Sequence, residues 1–372
     1  MTSPHILLAV SAHGYGHLSQ VAPVVNALRE RLPGARLTVQ GAFSRLLVAG
    51  RIDADFELIT EAADVGFAMH GPTEIDWPAT RSWFQDFHRQ WDSRLEAEMA
   101  LLRQHRVDLV IADIPYLPLA AAQRLGIPAV AYSSLNWVDS LLENSEVADS
   151  LQQEIARMRS VYTQADLFIQ PQPSIPMAWL KTLHGDNRAP VAPVCAMPRN
   201  RRRELNHRLG LDPSKKLVLV SLGGIPMSRG LTHWPRLEQA QWLVDARDLK
   251  RTEGVFTTEG LDWPFPDLIG SADLLLTKPG YGTFTEAARC GIPVLNIARE
   301  DWAESRYLIQ WLEKIVALET IPLQQVRDGN ICEEIGRLLA QGHRPGLQAS
   351  GIGQAVELLL ALIDTYKTNP VT

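Results

Sequence analysis

A chain of 372 residues with 46% apolar and 21% charged residues exceeds what one hydrophobic core organises, and its composition is that of a globular protein. Two domains of roughly 150 to 200 residues each are therefore expected. The formal net charge of −6 excludes nucleic acid as the main partner, because neutralising phosphates takes a clustered excess of Lys and Arg.

Three widely spaced cysteines, Cys195, Cys290 and Cys332, offer neither a disulfide framework nor zinc-ligand spacing, so no metal site is expected and a reducing compartment is. The first apolar run, HILLAV, is too short for a signal peptide. No apolar run reaches the roughly 20 residues that cross a bilayer. A cytoplasmic location is expected, with peripheral membrane contact left open.

Short β-branched runs alternate with helical patterns, which predicts parallel sheets built from βαβ units. The first series of strands is placed at 5–10, 36–40, 108–112, 128–132 and 167–170. The first of these strands runs into SAHGYGHLSQ at 11–20, after which Leu18, Val21, Ala22, Val25, Leu28 and Leu32 mark a helix. Gly14, Tyr15 and Gly16 form a turn at a strand's carboxyl end, where open α/β sheets bind ligands, and the helix N-terminus behind it presents N–H groups to an anion. A dinucleotide fingerprint would need glycine where Ser19 stands. The turn presents His17 instead, with His13 close by; a neutral imidazole suits removal of a proton from a hydroxyl near pH 7. Asp113, at the end of DLVIAD, is either the partner that orients His17 or a helix cap before Pro115. Trp77, Trp83, Phe84, Phe87, Trp91 and Trp137 either fill the core or line an acceptor cleft by stacking on sugar faces.

A Pro-rich stretch from 171 to 203 breaks the periodicity and ends in RNRRR at 199–203, read as a solvated linker turn or as an anion or lipid-headgroup contact. It places a boundary near residue 197, giving domains at 1–197 and 198–350 and a helix and tail at 351–372. The second strand series falls at 217–221, 241–244, 254–257, 273–277, 292–297 and 315–318. AAQRLGIPAVAY at 121–132 and AARCGIPVLNI at 287–297 echo one another as helix end, glycine, Ile-Pro and buried strand. The amphipathic segment 352–367 follows a completed second domain and is expected to cross back to the first.

In the second half, SLGG at 221–224 puts Gly223 and Gly224 at one strand end. TKPGYGTFTEA puts Gly280, Tyr281, Gly282 and Thr283 at another, before a helix carrying Glu286 in its first turn. Glycines, a helix N-terminus and the Thr283 hydroxyl make an anion cradle. Glu286 either accepts the two hydroxyls of a ribose or completes a capping box with Thr283. The polar loop from Arg299 to Ser305 supplies Asp301, Glu304 and Ser305 as partners for sugar hydroxyls, or is an ordinary surface loop.

On these motifs the chain resembles the GT-B glycosyltransferases, particularly family 28 enzymes such as the N-acetylglucosaminyltransferase that forms lipid II. It also resembles the glycosyltransferase-like N-terminal portion of plant arabinokinases. The resemblance implies two facing Rossmann-like α/β domains with the donor nucleotide held mainly by the second. It implies His17 as catalytic base with Asp113 as its acid partner, Gly280 to Thr283 at the diphosphate, Glu286 at the ribose and Asp301 to Ser305 at the donor sugar. A UDP-sugar is then the co-substrate, with no other cofactor, and a small-molecule or lipid-linked hydroxyl is the acceptor. Ala303, Glu304 and Ser305 replace the family's usual Asp-Gln or Gln-Gln pair. The rivals are a nucleotide-sugar hydrolase or epimerase on the same fold, or a non-catalytic nucleotide-sugar-binding module.

Overall fold

The computed structural model describes residues 3–11, 13–14, 16–71, 73–180, 187–223, 234–244 and 254–368. Its chain divides into two compact units. The first comprises Met1–Ala68, Ile75–Cys195 and Ala349–Thr372, the second Met69–Glu74 and Ala196–Gln348.

The first unit is built on β1 (His5–Val10), α1 (Gly16–Arg31), β2 (Arg36–Gln40), α2 (Arg45–Ala49) and β3 (Glu57–Ile59). After a short ribbon, β4 (Met69–Gly71) with β5 (Glu74–Ile75), most of which groups with the second unit, come α3 (Trp77–Arg89) and α4 (Trp91–His105). Then come β6 (Leu109–Asp113), α5 (Leu117–Leu125), β7 (Ala129–Tyr132), α6 (Trp137–Leu142), α7 (Ser145–Ser150), α8 (Gln152–Thr163), β8 (Leu167–Pro171) and β9 (Arg188–Val191). The sheet has the order β3-β2-β1-β6-β7-β8-β9, and its pairs are parallel. Helices cover both faces, which is why HILLAV reads as an unbroken apolar run: all six of its residues are buried.

The second unit contains α9 (Arg202–Leu209), β10 (Lys216–Ser221), β11 (Ala240–Val244), β12 (Val255–Thr257), α10 (Phe265–Ser271), β13 (Leu274–Thr277) and α11 (Tyr281–Cys290). It continues through β14 (Val294–Ile297), α12 (Ser305–Leu312), β15 (Leu318–Ile321), α13 (Leu323–Arg327) and α14 (Cys332–Gln341). Its sheet runs β12-β11-β10-β13-β14-β15, again with parallel pairs. The final helix, α15 (Ile352–Thr368), returns to the first unit. There Ala355, Val356, Leu359 and Ile363 join the core formed by β1 and α1.

Both sheets reverse direction of growth beside their first strand. The chain lays β2 and β3 on one side of β1 and then crosses to β6; it lays β11 and β12 on one side of β10 and then crosses to β13. A crevice opens at such a reversal, outside the carboxyl ends of the two flanking strands, and open α/β folds place ligands there. The chain echo has a matching structural cause, since Gly126 and Gly291 both end their helices in the left-handed conformation, φ 67° and 66°.

Three expectations need correction. The Pro-rich stretch is not all linker: Arg188–Val191 forms β9 at the sheet edge, where Pro190 removes no ladder donor that the sheet requires. The last strand begins at Leu318, three residues later than expected, because Leu312 to Val316 close the preceding helix by backbone hydrogen bonds. The run at 199–203 is solvated only in part, at Arg199, Asn200 and Arg203. Arg201 grips Glu204 and lies 3.7 Å over the Trp263 ring, and Arg202 is paired with Asp273 at 2.6 Å, so the arginines fasten α9 to the second unit.

Candidate active site

At the reversal in the first sheet, β1 and β6 are in register with Val10 opposite Asp113, and the Ser11 amide donates to the Asp113 carbonyl. α1 starts at Gly16, so His17 stands in its first turn with no acidic residue there to neutralise the helix dipole. The His17 Nδ1 lies 3.2 Å from Asp113 Oδ1. Asp113 does not cap α5, whose N-cap is Tyr116. Its carboxyl group is fully buried. Burial pushes its pKa up to about 6, against the pull of the hydrogen bond from His17. Near pH 7 the ionised carboxylate accepts from Nδ1–H, which fixes the tautomer and leaves Nε2 as the basic nitrogen.

The chain leaves Asp113 through a strained residue. Ile114 is buried and β-branched yet adopts φ 79°, a conformation that costs about 1–3 kcal/mol. The Tyr162 hydroxyl holds it there by donating to the Ile114 carbonyl at 2.7 Å.

A second carboxylate sits behind the pair. Asp64 accepts from Trp137 Nε1 at 2.8 Å and from Ser11 Oγ at 3.2 Å. Burial raises its pKa, and the Trp137 and Ser11 hydrogen bonds oppose that rise. The Trp137 ring is fully buried and meets the rings of His13 and His17 edge-on, with centroids 5.6 and 6.2 Å away. His13 is seated by the Phe67 amide, which donates to its Nδ1, so its own proton is on Nε2. Gly66 is required next to it: at φ 59°, its missing Cβ would stand 3.1 Å from the His13 Cβ. Nothing in the sequence singled out Asp64. Its only signal is an acid in a short apolar stretch, and its partners Trp137 and Ser11 are far from it along the chain.

Of the aromatics, Phe84, Phe87, Trp91 and Trp137 are core, while Trp83 is 44% exposed. Trp83 and Phe87, with Val65, Asp86 and Arg94, line a cavity of about 320 Å³.

The reversal in the second sheet lies between β10 and β13, tied together by the Thr277 hydroxyl donating to the Ser221 carbonyl at 2.6 Å. Gly223 follows β10 in the left-handed region. Gly280 is the N-cap of α11, with no side-chain cap, open space where a Cβ would stand and no acid in the first turn. The capping-box alternative for Thr283 and Glu286 therefore fails, because Thr283 lies inside the helix. Glu286 sits in the second turn rather than the first, and is 3% exposed. The Tyr281 ring belongs to the core of this unit, so its backbone is the part available to a ligand. Gly282 is buried and Thr283 half-buried in the same turn. Glu304 and Ser305, at the start of α12, are 3% and 5% exposed, and Asp301 is half-buried. Tyr15 and Gly224 lie outside the described residues, as does most of the segment after SLGG.

Two cations that sequence reading passed over stand at the ends of β13 and β14. Lys278 follows β13, with its Nζ 3.6 Å from where a Gly223 Cβ would be. Burial and the neighbouring Arg299 charge pull its pKa down to about 7. Arg299 is 6% exposed, and burial lowers its pKa to about 10 despite the nearby Asp301 and Glu304. Its guanidinium lies 3.9 Å over the Trp302 ring. The Arg299 Nε and Nη2 are buried without an acceptor among the described residues.

No family model matches the chain. It is 23% identical to L-arabinokinase of Arabidopsis thaliana over 321 residues, covering 84% of this chain and 30% of that protein's length. It is also 23% identical over 346 residues to the UDP-N-acetylglucosamine–N-acetylmuramyl-(pentapeptide) pyrophosphoryl-undecaprenol N-acetylglucosamine transferase of Bifidobacterium longum, covering 79% of each. Among solved structures it is similar to the calicheamicin glycosyltransferase CalG4, with a TM-score of 0.55 at 18% identity over 98% of this chain and 95% of the other. SnogD of Streptomyces nogalater, a glycosyltransferase, gives 0.57 at 16% over 97% and 100%. The fold is that of the GT-B glycosyltransferases. A UDP-N-acetylglucosamine 2-epimerase-like protein of Listeria monocytogenes aligns over 100% of this chain and 98% of its own with a TM-score of 0.58 at 13% identity, so the fold alone does not separate transfer from epimerisation.

Proposed function

We propose that the chain transfers a sugar from a UDP-sugar to an acceptor hydroxyl, with inversion, and that His17 is the general base. The observation that carries this reading is the His17–Asp113 pair at the reversal of the first sheet, with a buried carboxylate fixing the imidazole's tautomer. Nε2 removes the acceptor proton as the oxygen attacks the anomeric carbon, and Asp113 stabilises the resulting imidazolium.

In the second unit the uncapped N-terminus of α11, with Gly280, Gly282 and Thr283, takes the diphosphate. The helix dipole and amide donors stabilise the charge that grows on it as it leaves. Glu286 takes the ribose hydroxyls, and Asp301, Glu304 and Ser305 read the sugar. Support comes from the glycosyltransferase relatives and from the first turn of α11, which among the described residues has no acid and no side-chain cap. Lipid-linked as well as small acceptors fit the reading, since a lipid-linked one is named for the Bifidobacterium relative.

The test is UDP release from a panel of UDP-sugars, with and without cell-extract acceptors. Acceptor-dependent release that His17→Ala abolishes is expected. Unchanged turnover in His17→Ala would reject the base assignment, and equal sugar release without acceptor would favour a hydrolase.

A further inference from the structure

Arg299 presents a problem that hydrogen bonding within the protein does not solve. A buried guanidinium with two unpaired N–H groups costs several kcal/mol, and Arg299 is 6% exposed with Nε and Nη2 in that condition among the described residues. Its face is occupied by Trp302. Its edge is not. Asp301 and Glu304 lie near enough to influence its ionisation, but among the described residues no ion pair within 4.0 Å joins either to it. Ser305 Oγ, in the same loop and 5% exposed, is likewise buried without a partner among the described residues.

The two unpaired nitrogens define the chemistry of the missing acceptor. Nε–H and Nη2–H point in parallel along one side of the planar guanidinium, an edge whose spacing matches the two oxygens of a carboxylate. Two vicinal sugar hydroxyls can span this edge, but they leave the guanidinium's charge unanswered, which a carboxylate does not. The diphosphate has its own partners in this reading, at the α11 N-terminus and at Lys278 beside Gly223. Arg299 is one strand further on, at the head of β14, where the loop proposed to read the sugar begins.

We infer that Arg299 is the specificity-determining residue for a donor whose sugar carries a carboxylate, a nucleotide-linked uronate, with the sugar carboxylate docked on Nε and Nη2. The inference rests on the nucleotide-sugar reading of the second unit and names the class of sugar. Asp301 and Glu304 then accept from the remaining ring hydroxyls, and their charge raises the cost of placing the carboxylate anywhere but on the guanidinium.

Calorimetric titration of the wild-type chain with UDP, UDP-glucose and UDP-glucuronate tests it, repeated with Arg299→Met, which keeps an apolar stem over Trp302, and with Arg299→Lys. The expected result is at least tenfold tighter binding of UDP-glucuronate than of UDP-glucose by the wild type. Arg299→Met should reduce the two to parity with UDP affinity within twofold of wild type, and Arg299→Lys should restore only part of the preference because it lacks the fork. Equal wild-type affinity for the two sugars overturns the inference and leaves the nucleotide-sugar reading standing. An equal loss for all three ligands in Arg299→Met also overturns it, by assigning the guanidinium to the β-phosphate. Binding of none of the three overturns both. The wild-type comparison decides the question even if the variants fail to fold.

Discussion

At the head of the first sheet the charged groups are partnered from within: His17 rests on Asp113, and Asp64 takes the N–H of Trp137 and the O–H of Ser11. At the second, Lys278 and Arg299 influence one another's charge, Arg299 Nε and Nη2 have no acceptor among the described residues, and no side chain caps the N-terminus of α11. The order of growth is alike in both places, and the difference is the one that the proposed roles require. A group that moves a proton needs its tautomer and orientation set before the substrate arrives. Groups that hold an anion do better left unsatisfied, because any internal partner would have to be displaced.

The most forceful way to break this comparison is at the partnered end. Asp113→Asn keeps the shape and loses the fixed tautomer, and should lower turnover by about 10²- to 10⁴-fold with UDP affinity unchanged. A loss confined to affinity would mean that the pair serves binding instead.

Trp137→Phe removes the 2.8 Å donor to Asp64 while leaving an aromatic ring against His13 and His17. It should cost about 1–3 kcal/mol of unfolding free energy, measured by urea titration, and more at pH 8 than at pH 4. The sign follows from the raised pKa of Asp64. A carboxyl whose pKa is raised on folding stabilises most below its unfolded value and loses that contribution as pH rises through the folded one. Without the Trp137 donor the charged form is held less well. No pH dependence in the difference would show that Trp137 acts only by packing.

The smallest expected effect sharpens the open end. Lys278 is held near a pKa of about 7 in the free protein, and an anion beside it favours the charged form, so binding takes up a proton above that pH. UDP affinity should therefore fall as pH rises from 7 to 9, and Lys278→Met should weaken binding and flatten the slope. A slope that survives the substitution would place the titrating group elsewhere.

Much of this was legible in the sequence, for reasons that differ by residue. HILLAV and DLVIAD read as buried parallel strands because both faces of each are covered, and the glycine turn after the first and Pro115 after the second announce strand ends. His17 stood out because glycine at position 16 starts its helix. Strand order was not legible, and it is strand order that sets Val10 beside Asp113 and Ser221 beside Thr277. Asp64 was hidden because its meaning lies in Trp137 and Ser11, and Arg299 because exposure cannot be read from a polar loop. Arg201 and Arg202 misled for the converse reason: a charge run reads as solvated until its acids, Asp267 and Asp273, are folded against it.

In the proposed function the second unit holds a uridine nucleotide by the α11 turn and Glu286. Titration of UDP into the wild type, Glu286→Gln and Glu286→Ala by calorimetry tests it most directly. Saturable wild-type binding, weakened modestly by Gln and at least tenfold by Ala, is the predicted result. No heat of binding in the wild type, or equal affinity in all three, would contradict it.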